Sequence, residues 1–148
     1  MPTVNVVTHI GQRSYTPAAG QFITGGQLVE GTDGSRIKVA AAGSTRVLGV
    51  ALYDAVAPED QFPATTPVVQ GRPVVFMGAL PKIVAVASDG AEVPMVYATA
   101  AAFGDRLVAA ANGQVAAAGA TPDARAIVGR CTAPAGVAAG ATGLATIF

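Results

Sequence analysis

Tight-turn dipeptides and glycines recur along this chain so closely that a long helix has nowhere to form. Asp33-Gly34, Asp89-Gly90 and Asn112-Gly113 accept the positive φ angles that favour tight hairpins. Each lies between runs that can extend: Leu28-Val29-Glu30 and Arg36 to Ala40, Lys82 to Ala87 and Glu92 to Tyr97, Arg106 to Ala111 and Gln114 to Ala118. Helix competes only in the alanine-rich stretches, because alanine is the best helix former. There Gly104, Gly113, Gly119, Gly136, Gly140 and Gly143 interrupt every candidate. A short helix between Ala98 and Phe103, or near Ala133 to Ala139, is all the spacing allows.

The runs between turns have strand character. Polar and apolar residues alternate in Arg36-Ile37-Lys38-Val39, which puts Ile37 and Val39 on one buried face. Val47 to Tyr53 is apolar on both faces and contains Gly49, the mark of a central strand with a bulge or a close backbone approach. Val74 to Met77, Ile83 to Ala87, Val93 to Tyr97, Ala126 to Cys131 and Leu144 to Phe148 complete the set. Short strands at this spacing predict an all-β fold: a small barrel or sandwich of short antiparallel strands with little helix.

The 148 residues suffice for one domain with a proper core. Residues 1–20 read as an extended N-terminal arm, with Val4 and Val6 on one face, and residues 21–148 as a single β domain. The arm fits equally a strand added to a neighbouring subunit and the first strand of its own barrel. Residues 55–73 carry Pro58, Pro63, Pro67 and Pro73 beside Glu59-Asp60. Prolines this dense exclude a helix and a central strand, so the segment reads as a long loop of the kind that makes contacts.

A weak internal repeat links residues 26–53 with 104–131. Gly26-Gln27-Leu28-Val29 leads through Gly34 to Val47-Leu48-Gly49-Val50, and Gly104-Asp105-Arg106-Leu107-Val108 leads through Gly113 to Ile127-Val128-Gly129-Arg130. Two such units fit a duplicated β unit better than a solenoid. Chance similarity in a chain rich in Ala and Gly is the alternative.

Composition bears on how the fold is used. Charged residues make up 12% of the chain and hydrophobic ones 51%, against roughly 25% charged in ordinary soluble domains. A compact body with so few charges has a weakly solvated surface, which suits one that faces other protein chains. The net charge is zero, and Arg13, Arg36, Arg46, Arg72, Arg106, Arg125 and Arg130 are scattered. Neither a nucleic acid nor an anionic membrane is an expected partner. The single cysteine, Cys131, excludes an intrachain disulfide and fits a reducing compartment. No signal-peptide pattern follows Met1, and the uncharged stretch Cys131 to Phe148 lacks the bulky apolar residues of a membrane helix.

Catalytic chemistry has little to build on. His9 is the only histidine and has no neighbouring Asp, Glu or Cys, so a metal site or a Ser-His-Asp triad finds no support. Cys131 follows Arg130 but lacks a base other than His9, and reads as a small buried hydrophobe. Glu59 and Asp60 are adjacent and point apart on an extended backbone, while Asp33, Asp89 and Asp105 sit at turns, where Asp serves backbone geometry. Lys38 and Lys82 are the only lysines, neither follows a glycine-rich loop, and no Gly-x-Ser-x-Gly elbow occurs. The sequence therefore predicts no catalytic, cofactor-binding or metal-binding residues and no enzymatic activity.

Gly26-Gln27-Leu28-Val29, then Ile37-Lys38-Val39-Ala40-Ala41-Ala42-Gly43, then Val47-Leu48-Gly49-Val50-Ala51-Leu52-Tyr53-Asp54-Ala55 resembles the small tailed-phage head proteins known as capsid decoration, stabilisation or head cement proteins. Ala126-Ile127-Val128-Gly129-Arg130-Cys131 looks like a second copy of the last piece. The resemblance implies a structural virion protein on the outer capsid surface, made in the host cytoplasm. Its implied partners are the major capsid protein and copies of itself in a homotrimer. There it would tie the lattice together through many weak contacts repeated by symmetry. The alternative is a tail or head-fibre module that recognises a host surface ligand such as a glycan, although aromatic platforms for sugar are few.

Overall fold

The computed structural model describes residues 12–61, 68–69, 72–73 and 80–148. Fourteen short strands follow one another: β1 (Gln12–Tyr15), β2 (Phe22–Ile23), β3 (Leu28–Gly31), β4 (Ile37–Val39), β5 (Val47–Ala51), β6 (Ala55–Val56), β7 (Val68–Val69), β8 (Arg72–Pro73), β9 (Val84–Ala87), β10 (Glu92–Val96), β11 (Arg106–Ala109), β12 (Val115–Ala117), β13 (Ile127–Cys131) and β14 (Thr142–Ile147). The fold is all-β and antiparallel. Two five-stranded sheets carry it, in the orders β1-β9-β5-β3-β4 and β10-β14-β13-β11-β12, with two-residue ladders β2-β6 and β7-β8 beside them.

The two sheets have one topology. Matched in chain order, β1, β3, β4, β5 and β9 of the first correspond to β10, β11, β12, β13 and β14 of the second. Local irregularities match as well. The β3–β5 register slips between Val29 and Glu30, and the β11–β13 register between Leu107 and Val108. A glycine stands at each slip, Gly49 opposite Val29 and Gly129 opposite Leu107. In both, an added Cβ would collide with a carbonyl of the next strand, that of Ala87 or of Thr146. The chain leaving β1 makes one parallel bridge to β4 (Pro17 to Ile37), and the chain leaving β10 makes the same bridge to β12 (Tyr97 to Val115). Each sheet therefore curls until its edges meet at one bridge, short of the continuous ladder that closes a barrel.

The halves differ in what covers them. In the second sheet burial alternates along the strands, as in β14, with Ala145 and Ile147 inward and Leu144 outward. That is the pattern of a sheet with one wet face. In the first sheet all four residues of β9 are buried. Val84 and Val86 join Val29, Ile37, Ala51 and Ile23 in an inner cluster. Ala87, Leu28 and Val50, on the opposite face, belong to the larger cluster that includes Val93, Met95, Tyr97 and Leu107 of the second half. The first sheet is thus sandwiched between its own interior and the second half.

Turn chemistry explains the local paths. Asn112 and Gly113 both have positive φ, 57° and 66°, and join β11 to β12 as a mirror-image turn of the hairpin class. At Asp33-Gly34 the positive φ falls one residue later, on Ser35 at 58°, after a turn closed by Ser35 N donating to Thr32 O. Asp89 and Gly90 also form a tight turn (φ 53° and 91°), but β9 and β10 do not pair with each other. Gly90 N donates to Ile147 O at 2.6 Å and Ile147 N to Ala91 O at 2.9 Å. Strand β14 thus captures the outgoing chain, and the turn hands the polypeptide from one sheet to the other.

Neither alanine-rich stretch is helical. Ala101 and Val137 instead exchange two backbone hydrogen bonds, at 2.8 and 2.9 Å, which commits those groups to an antiparallel bridge. Among the described residues the helical segments are single 3-10 turns, such as Ala124–Ala126, where the Asp123 carboxylate accepts from Arg125 N. Within 55–73, Pro58–Asp60 form another, which the proline tolerates at its first turn.

Candidate contact surfaces

Among the described residues, the cysteine is enclosed and most carboxylates already hold a partner. His9 lies outside the described residues. Cys131 is fully buried. Its neighbour Tyr97 is also fully buried, and the Tyr97 hydroxyl donates to Leu144 O at 2.8 Å. Burial first, and then contact with Cys131, pushes the Tyr97 phenol well above its ordinary value. Most carboxylates hold backbone or arginines. Asp54 accepts from Gly25 N at 2.8 Å, Asp60 from Gly20 N at 2.6 Å and Asp105 from Ala102 N at 2.8 Å. Glu59 pairs with Arg36 at 2.6 Å, Asp123 with Arg125 at 2.9 Å and Asp33 with Arg46 at 3.2 Å. Glu59 and Asp60 thus serve different partners. Among the described residues no three His, Cys, Asp or Glu side chains stand together in a metal-binding group.

A cleft of about 750 Å³ opens where the two halves meet. The Thr24–Gln27 turn and Tyr53-Asp54 form one side, and the Asn112–Gln114 hairpin and Thr142 the other. Gln27 holds it together: Gln27 Oε1 accepts from Thr24 N at 2.8 Å, and Gln27 Nε2 donates to Asn112 O at 3.0 Å. Gly113 lets the hairpin tip approach, since a Cβ there would lie 2.8 Å from Leu28 O. Tyr53 is exposed at the rim, with amide side chains across from it. Such a cleft can hold a polar ligand by hydrogen bonds, and the one carboxylate that lines it, Asp54, accepts from Gly25 N.

The second surface is the outer face of the second sheet. Arg106 stands opposite Arg130, Arg130 opposite Thr146, and Thr146 opposite Glu92, so these four positions form one row across four strands. Pro94 and Leu144 face each other in the next row, with Leu144 exposed. Both arginines are exposed. The sequence shows arginines at these positions but not that they are cross-strand neighbours, because that depends on the bulge between β11 and β13.

Over nearly its whole length the chain has the fold of the N base of the head fibre gp8.5 of bacteriophage phi29. The TM-score is 0.58 at 16% identity, over 93% of this chain and 94% of that one. The chain matches no protein-family model, and no curated protein matches it.

Proposed function

We propose that this chain is a non-enzymatic structural protein of a phage head. In this reading it binds the outer surface of the capsid as a decoration or cement subunit and acts as a homotrimer. The observation that carries the reading is the likeness of fold to a head-fibre base, over 93% of this chain and 94% of that one. The charge-poor composition supports it, as do carboxylates spent on turns rather than gathered at a site.

Co-sedimentation with expanded, DNA-free shells of the cognate capsid protein tests the reading. Saturable binding at a fixed ratio to capsid subunits is the expected result. A chain that stays in the supernatant defeats it. Light scattering after size-exclusion chromatography tests the trimer separately.

The cleft favours a second reading, that of a fibre-base module which holds a host glycan between Tyr53 and the Asn112–Gln114 hairpin. A glycan array would show it, and loss of a hit in Asn112→Ala would assign it to the cleft.

A further inference from the structure

The duplicated topology gives each sheet an outer row of equivalent positions. In the first sheet the row is Gln12, Ala87, Val50 and Leu28. In the second it is Glu92, Thr146, Arg130 and Arg106. Leu28, Val50 and Ala87 are buried in the cluster shared with the second half. This face of the fold is therefore already a protein-docking surface within the chain itself.

On the second sheet no described element covers the same face. Two arginines stand side by side on it, and neither makes an ion pair among the described residues. Like charges directly opposite each other repel. An anionic partner would relieve that repulsion. Arginine's planar fork matches carboxylates in pairs, which makes it the usual residue for such contacts between proteins. Leu144, 42% exposed and opposite Pro94, supplies an apolar centre beside the charged row.

A second copy of this chain has few carboxylates to offer: Glu59, Asp123 and Asp33 are paired with arginines, Glu30 with Lys38, and Asp54, Asp60 and Asp105 hold turns, which leaves Asp89 and Glu92 among the described residues. Nucleic acid is disfavoured as well. A phosphate backbone would meet Leu144 and Pro94 and then the Glu92 carboxylate at the end of the row.

We infer that the outer face of the second sheet docks an acidic protein surface, with Arg106 and Arg130 gripping its carboxylates and Leu144 packing at the centre. The partner's identity as a capsid subunit rests on the function proposed above.

The test is co-sedimentation of the unaltered chain, R106Q/R130Q, R106E/R130E and the control R46Q with cognate DNA-free shells, across a salt series. Thermal melting confirms that each variant is folded. The expected result is binding by the unaltered chain that weakens with salt. R106Q/R130Q should lose several-fold in affinity and R106E/R130E at least tenfold, with R46Q unchanged. If folded R106Q/R130Q and R106E/R130E both bind like the unaltered chain, the docking face is wrong while the head-protein reading survives. If the unaltered chain binds no shells, the head-protein reading falls and takes this partner with it. If duplex DNA binds as tightly as the shells and is lost in the same variants, the face is a general polyanion site and the acidic-protein assignment fails.

Discussion

The two halves of this molecule are built alike and dressed differently. Inside, matched positions stay apolar: Val29 and Leu107, Ile37 and Val115, Ala51 and Cys131, Val86 and Ala145. Outside, matched positions diverge, as Leu28 against Arg106 and Val50 against Arg130 show. The hairpins diverge too, for the Glu30–Lys38 ion pair of β3 and β4 stands where β11 and β12 have Val108 and Ala116. So does the crossover before the last strand of each sheet, which takes residues 52–83 in the first half and 132–141 in the second. A curled five-stranded sheet thus fixes what faces its interior, while what faces outward follows from what that face meets.

The largest expected effect comes from exchanging the outward residues. Leu28→Arg would place a charge in the core shared by the halves and should cost about 4 kcal/mol in urea unfolding. The reciprocal pair, Arg106→Leu with Arg130→Val, should leave the fold intact. It would expose an apolar face like the one the second half covers, so the variant should self-associate in light scattering. If Leu28→Arg costs less than 1 kcal/mol, the two faces are not equivalent.

The glycines at the register slips come next. Gly49→Ala and Gly129→Ala should each cost about 3 kcal/mol, because the new methyl meets a carbonyl that the ladder holds in place. A marked inequality between the two would show that one bulge can relax and the other cannot.

Much of this was legible in the chain. The Asn112-Gly113 hairpin, the central place of Val47 to Ala51 and the break at Gly49 all follow from residue type, although Leu52 and Tyr53 lie beyond the strand and are exposed. The outer faces were not legible. Matching Leu28-Val29 to Leu107-Val108 by their letters is off by one, because the ladders pair Val29 with Gly49 and Leu107 with Gly129. In a strand a slip of one residue exchanges inside for outside. It therefore hides that Arg106, not Leu107, is the counterpart of Leu28. The match of β1 to β10 was hidden as well. Gln-Arg-Ser-Tyr and Glu-Val-Pro-Met-Val share a place in the sheet and almost no chemistry. Nor could letters show that Asp89-Gly90 joins two sheets, since the capture of Ala91 by Ile147 is a long-range event.

A smaller effect separates the two hairpins. Glu30 is buried, with Lys38 Nζ at 3.1 Å and Ala41 N donating to its other oxygen at 3.4 Å. Burial raises its carboxyl, but hydrogen bonds from Ser44, Lys38 and the Ala41 amide outweigh that and hold it below its ordinary 4.5. A lowered carboxyl stabilises the fold above its unfolded value and loses that contribution as the pH falls through the folded value. Glu30→Gln should therefore cost about 1 kcal/mol at neutral pH, and the difference from the unaltered chain should shrink below pH 4.5. A gap that stays constant from neutral pH into acid would mean the charge is not what stabilises this hairpin.

The smallest effect bears on the free face. If Arg106 and Arg130 repel across β11 and β13, Arg106→Gln should stabilise the isolated chain by a few tenths of a kcal/mol at low salt. Salt should erase the gain, because screening relieves the unaltered chain and leaves the neutral variant where it was. The sign matters more than the size. Arginines that merely keep the face wet should cost nothing, and their removal should change neither stability nor its salt dependence. A destabilising Arg106→Gln would mean that the guanidinium is held by a partner within the chain, and the face would lose its unmet charge. A stabilising one means the isolated protein carries a small penalty there at low salt, which an anionic partner would relieve.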